Sequence, residues 1–119
     1  MTVQECYARI EGDYDEVMMR LRTDERVKKF LGMFLRDENY GRLCTAMEEQ
    51  NYEQAFMEAH TLKGVSQNLA LTALGREASN LTELLRGKTG SPEALESFAR
   101  VKEKYILTKK GIEDLQAGE

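Results

Sequence analysis

At 119 residues, 41% hydrophobic and 32% charged, the chain is expected to form one domain over residues 1–119 with a single modest core. Its net charge of -4, with no basic stripe carrying interleaved aromatics, argues against nucleic acid as a partner. No apolar run approaches the length of a membrane span, and Met1-Thr2-Val3-Gln4-Glu5 has no signal-peptide pattern, so a cytoplasmic location is expected. Cys6 and Cys44 are too few and too far apart for a disulfide framework or a zinc site, and one histidine excludes a His-based metal cluster. Abundant Leu, Met, Glu, Lys and Ala with one proline favour an all-α fold. Met1 followed by an early helical pattern favours a free-standing protein.

In chain order, Val3, Tyr7 and Ile10 keep helical spacing over residues 3 to 11, and Gly12 is expected to break that turn. Asp13, with Glu16 three residues on, reads as the N-cap of a helix through Val17, Met18 and Leu21 that packs across the bundle. Thr23 is the next N-cap, followed by Asp24 and Glu25 where negative charge suits a first turn. Val27, Phe30, Leu31 and Phe34 form one core stripe. Tyr40, Leu43, Cys44 and Met47 form a second, about one residue out of phase, so a kink or break is expected near Asp37 to Asn39, with a bent continuous helix as the alternative. Cys44 falls on this apolar face and reads as a small core residue, whereas Cys6 is uninformative. Met33 and Leu35 are extra apolar residues; they widen the core face or form part of a docking patch.

Asn51 reads as an N-cap, with Gln54 at the third helical position, for a helix to about Leu69. Thr72 is expected to cap the next helix, which carries Leu74, Ala78, Leu81 and Leu85 and ends at Gly87. Ser91-Pro92-Glu93 starts a long last helix through Phe98, Val101, Tyr105, Thr108, Ile112 and Leu115. Short connections imply an up-and-down antiparallel four-helix bundle over about 24–50, 51–70, 72–86 and 91–115, with additional short N-terminal helical segments.

The stretch from Ala59 to Gln67 holds the only histidine. Tyr52, Ala55, Phe56, Ala59, Leu62, Ser66 and Leu69 recur at steps of three and four as a buried face. His60, Gly64 and Gln67 recur at the same steps but away from that stripe, with Lys63 at their edge. The histidine therefore points outward. Glycine costs roughly 1 kcal/mol against alanine inside a helix, so propensity does not explain Gly64. One turn above His60 it clears room for a second protein to approach the imidazole. Lys63 brings positive charge within a turn of the ring, suited to a phosphoryl group, and an exposed imidazole is largely neutral and nucleophilic near neutral pH.

His60, Leu62, Lys63, Gly64 and Ser66 resemble the motif of histidine-containing phosphotransfer (HPt) domains: His, any residue, an apolar residue, Lys, Gly, then small residues. Val65 is bulkier than usual, and Ala70 stands where the family commonly has glycine. The motif-specific region is 59–67, while the architecture extends the resemblance over about Asp13 to Leu115. The same motif occurs in phosphoacceptor domains of chemotaxis kinases.

The resemblance implies that His60 is the phosphoacceptor, receiving a phosphoryl group from an aspartate of one receiver domain and passing it to another through Nε2. Lys63 would balance phosphoryl charge and Gly64 would give steric access. Gln67, by helical spacing, would donate a hydrogen bond from the next turn. A neighbour orienting Nδ1 is expected, but spacing does not name it. Partners would be receiver domains of a hybrid histidine kinase or of response regulators, and the chain is expected to be a monomer. No cofactor is expected here; the acceptor aspartate and its Mg²⁺ would belong to the receiver. Nothing resembles a Gly-rich loop before a phosphate-binding lysine, so the chain reads as a phosphotransfer intermediate, not an enzyme with kinase activity. Two other readings are a helical bundle that docks a receiver or another signalling partner without phosphorylation, and an enzyme using His60 as general base. The latter lacks an evident nucleophile, since Ser66 and Thr61 have no triad context.

Overall fold

The structure is a computed structural model that describes residues 1–118. These form α1 (Val3–Arg9), α2 (Tyr14–Leu21), α3 (Asp24–Arg36), α4 (Asn39–Glu48), α5 (Tyr52–Asn68), α6 (Thr72–Leu84) and α7 (Pro92–Gln116). The fold is an all-α, up-and-down antiparallel four-helix bundle. Its first member is α3 continued by α4, followed by α5, α6 and α7, with α1 and α2 as short N-terminal additions. At 25 residues, α7 spans most of the 41 Å long dimension.

The helix starts follow the side-chain chemistry of their caps. Asp13, Thr23, Asn51 and Ser91 each accept a hydrogen bond from the backbone N–H three residues on, at Glu16, Arg26, Gln54 and Ala94. The expected break falls between Arg36 and Asn39, where Asp37 turns extended and its carboxylate accepts the Asn39 N–H at 2.8 Å. The start of α6 differs from expectation. Leu71 is the N-cap and Thr72 the first helical residue, because the Ala73 N–H bonds instead to the Glu11 carbonyl arriving from the α1–α2 connection. A tertiary hydrogen bond stands in for the cap.

Helix stops depart further from the glycine signals. Left-handed backbone is taken by Glu11, Arg22, Gln50, Ala70 and Lys88, not by Gly12 or Gly87. At Glu11, Gln50 and Ala70 the ends are Schellman motifs, with Gly12 N–H on Tyr7, Asn51 on Ala46 and Leu71 on Ser66. Gly87 does not end α6, which stops at Leu84 with Leu85 as C-cap. Gly12 matters for space: a Cβ there would lie 2.7 Å from the Tyr7 ring and 2.9 Å from the Ala70 carbonyl. That closeness lets the Asp13 N–H reach Ala70 O at 2.9 Å and the Tyr7 hydroxyl reach Leu69 O at 2.8 Å. The N-terminal helices are thereby bound to the end of α5.

Cys44, expected in the core, is not the core thiol; Cys6, for which nothing was expected, is. Cys6 is fully buried with its thiol 3.6 Å from the Gly111 carbonyl, whereas Cys44 is half-buried. α7 runs unbroken through Gly111 to Gln116, and the glycine there makes room for the end of α1, since a Cβ would sit 2.3 Å from Ile10 Cγ2. On the other side of the bundle, Tyr40 of α4 stacks on Tyr105 of α7 with centroids 3.6 Å apart.

Glu58 is buried although it is a carboxylate. Its Oε1 accepts from Asn39 Nδ2 at 2.7 Å, and its Oε2 accepts from Gln54 Nε2 at 2.7 Å and Arg42 Nε at 3.1 Å. The Asn39 amide also reaches the Glu58 carbonyl, so one network fastens α4 to α5. Burial alone pushes the Glu58 carboxyl up, but these donors outweigh it and hold it below the usual carboxylate range.

Two stability measurements check this arrangement. Gly111→Ala should lower the urea-unfolding free energy by about 1–3 kcal/mol through overpacking against Ile10, despite alanine's better helix propensity. Glu58→Gln should be less stable than wild type at neutral pH. Because the folded carboxyl is held below its ordinary value near 4.5, the Glu58 contribution is present above that value. The difference between the two proteins should therefore close as pH falls below it.

Candidate functional site

Helix α5 owes its position to small residues on its inner face. Ala55, Ala59 and Ser66 are buried with Leu62 between them, and opposite Ser66 the partner helix α6 has Gly75. A Cβ on Gly75 would lie 3.5 Å from Ser66 Cβ, so the two backbones approach closely. With that face committed to the core, the opposite face is left to solvent.

On that face His60, Gly64 and Gln67 are exposed and Lys63 is half-buried. They lie on one side of α5, as their spacing requires. A Cβ on Gly64 would meet nothing within 4 Å, so nothing in this fold needs a glycine there. Among the described residues, no side chain hydrogen-bonds to the His60 ring, to the Lys63 ammonium or to the Gln67 amide. The expected hydrogen-bonding neighbour at Nδ1 is therefore not found. Instead, the Phe56 ring lies one turn before His60, parallel to the imidazole within 3° at a centroid distance of 6.3 Å.

The two flanks of His60 differ in chemistry. Toward α6, the Arg86 guanidinium lies 5.4 Å from the Phe56 centroid and donates to both Glu83 oxygens, at 3.2 and 2.6 Å. That fork, with a smaller contribution from Lys63, holds the Glu83 carboxyl below its usual range. Toward α3, a groove of about 330 Å³ is lined by Leu21, Phe30, Met33, Phe34, Val65 and Leu69, with Asp37 and Asn68 at its polar edge. Met33 is 46% exposed and belongs to this groove, whereas Leu35 packs partly buried against the core. Of the two extra apolar residues, only Met33 faces outward, into this groove. Met57 is also exposed one turn before His60.

At the C-terminal end of α5, Ala70 holds a left-handed φ of 54°, the conformation for which glycine is favoured. The helix end keeps a regular Schellman form with alanine, and its Gln67 carbonyl accepts from both the Ala70 N–H and the Arg20 guanidinium. Arg20 belongs to α2, so its presence here follows from tertiary packing. Spacing on α5 identifies His60, Lys63, Gly64 and Gln67. Phe56, expected on the buried stripe, is instead only partly buried at its edge, where its ring faces the imidazole. Arg20 comes from α2, Glu83 from α6 and Arg86 from the turn that follows α6, and they leave no such signal. Among the described residues, no group of three or more His, Cys, Asp or Glu side chains is gathered to hold a metal ion.

Gly64 provides a direct check on the site. Gly64→Ala should raise the unfolding free energy by up to about 1 kcal/mol, the helix-propensity gain, since the added methyl meets open space. Urea denaturation measures it, and the sign should be opposite to that at Gly111.

The family model for the Hpt domain matches residues 29–118, from within α3 through α7, and leaves α1 and α2 before the matched region. No curated protein and no solved structure gives a significant match. Among the described residues, no helix is long and apolar enough to cross a membrane. Hpt domains are phosphotransfer carriers that interact with receiver domains and are not kinases. With the matched region spanning most of its length, the chain belongs to the Hpt domain family, the histidine phosphotransfer modules of phosphorelays.

Proposed function

We propose that His60 carries a phosphoryl group between receiver-domain aspartates. The observation that carries this reading is an exposed imidazole, with no hydrogen-bond partner among the described residues, beside a lysine and below the open space at Gly64. In the forward step the Nε2 lone pair attacks the phosphorus of a receiver's aspartyl phosphate. The bond from phosphorus to the aspartate oxygen breaks, the carboxylate leaves, and the proton on Nδ1 can pass to solvent as the ring becomes phosphohistidine. Delivery to a second receiver is the reverse step, with its aspartate as nucleophile.

Charge in such transfers is spread over the equatorial oxygens, so positioning and electrostatics contribute most of the rate. Lys63 balances that charge, Gly64 leaves the path to the ring open, and Gln67 offers an amide donor one turn further on. Phe56 lies on the N-terminal side of the ring, parallel to it at a centroid distance of 6.3 Å. Mg²⁺ belongs to the receiver that supplies or accepts the phosphoryl group. The groove beside Val65 gives the receiver an apolar surface on which to seat. The same groove also supports a second reading, a module that docks a receiver or another signalling partner without being phosphorylated.

The test is transfer from a panel of phosphorylated receiver domains to wild type, His60→Gln and Lys63→Ala. Acid-labile, base-stable label on wild type and none on folded His60→Gln is expected. Lys63→Ala should slow transfer about tenfold, the order expected for losing one charge-assisted contact. Wild type that binds a receiver yet takes no label from any of them would replace the relay reading with the docking module.

A further inference from the structure

Beyond His60 along α5, a cleft of about 430 Å³ opens between α2, the end of α5 and the start of α6. Its cations are Arg20 and Arg76 and its one carboxylate is Glu16, with Gln67, Thr72 and Gly75 between them. Arg20 gives one guanidinium nitrogen to Glu16 at 3.1 Å and another to the Gln67 carbonyl, yet its side chain stays 45% exposed. Arg76 is exposed and has no ion pair or side-chain hydrogen bond among the described residues. The cleft thus keeps positive charge in excess, in a chain whose net charge is -4. Gln67 lies two turns from His60, roughly 10 Å along the helix, so this edge is continuous with the His60 face.

The position of Arg20 is built, not incidental. Its helix precedes the region that the Hpt family model matches, and α1–α2 is bound to the bundle at several points. These include Tyr7 to Leu69, Asp13 to Ala70, the Glu11 carbonyl to the Ala73 N–H, and the Lys104–Glu11 ion pair at 2.8 Å. Leu21 of the same helix lines the apolar groove on the other side of α5. One short helix therefore contributes to both sides of the face.

We infer that α2 extends the docking face past the family core and, with Arg76, gives it a basic edge that selects receiver domains carrying acidic side chains at the matching rim. This inference rests on the receiver-docking part of the proposed function. An exposed cationic rim acts mainly on encounter rate and partner choice, so its effect is an affinity difference that salt removes. Arg76 is the cleaner probe because its side chain holds no hydrogen bond or ion pair among the described residues.

The experiment measures Kd for a panel of receiver domains on the His60→Gln protein, at low salt and at about 0.5 M salt. Arg76→Glu and Arg20→Ala/Arg76→Ala are made on the same background. The receiver that binds most tightly should lose about tenfold in affinity with either change at low salt, and the loss should shrink at high salt. Arg20→Lys should retain most of the affinity, because charge and not the guanidinium fork is required. Unchanged Kd and salt dependence in folded Arg76→Glu would overturn the basic edge, as would failure of every receiver to bind. Labelling of wild type is read separately. If label transfers but the arginine variants bind normally, the relay reading stands and the edge is discarded. If the arginine variants weaken binding but no label transfers, the edge stands and the relay reading falls.

Discussion

The close approach of α5 and α6 governs what stands around His60. Both helices bury small residues, Ala55, Ala59 and Ser66 on α5 and Gly75 and Ala78 on α6, and a Cβ on Gly75 would lie 3.5 Å from Ser66 Cβ. Interhelical distance follows the size of the side chains at the contact, so small residues draw the axes together. That closeness brings Glu83 and Arg86 within reach of Lys63 and Phe56. Larger residues on the seam would push the charged flank away from the ring. The arrangement has a cost in polar satisfaction: the Ser66 hydroxyl is buried and finds no partner among the described residues. Its small volume, not its hydroxyl, is what the contact uses.

A second constraint fixes the bundle on the opposite side of α5. There α4 is held through the buried Glu58 carboxylate and its three donors, Asn39, Arg42 and Gln54. Such a network stabilises only when its acceptors are filled, and both oxygens of Glu58 are engaged. Because directed hydrogen bonds specify rotation and register more narrowly than apolar contact, α4 is locked where α3 can continue it across the Asp37 break. With one side of α5 set by small-residue packing and the other by this network, the outward direction of His60 is determined from both sides. The imidazole itself needs no tether for that, and Phe56 is its nearest aromatic neighbour.

The surface that results divides its chemistry across the ring: apolar toward α3, charged toward α6, and basic at the far end where α2 arrives. Lys63, Arg76, Arg86 and Arg20 stand about this helix face, two of them paired with Glu83 and Glu16, in a chain whose net charge is -4. Charge distribution, not net charge, governs encounter with a partner.

The sequence by itself determined the helical fold, the caps at Asp13, Thr23, Asn51 and Ser91, the break after Arg36 and the outward face of α5. Each of these rests on a local relation: a cap is three residues from its donor, and a helix face repeats every three or four residues. The His60, Lys63, Gly64 and Gln67 cluster was legible for the same reason. Helix ends were less so, since Glu11, Gln50 and Ala70 take left-handed backbone without being glycine, and tertiary bonds at Ala70 and Leu69 help hold the last of them. The Thr72 cap failed because a distant carbonyl, Glu11, supplied the missing acceptor. Tertiary structure alone decided that Glu58 would be buried, that Cys6 and not Cys44 would be the core thiol, and that Arg20 and Arg86 would flank the histidine helix. Those outcomes depend on which helices meet and how closely, and contacts between residues far apart in the chain leave no period in the sequence.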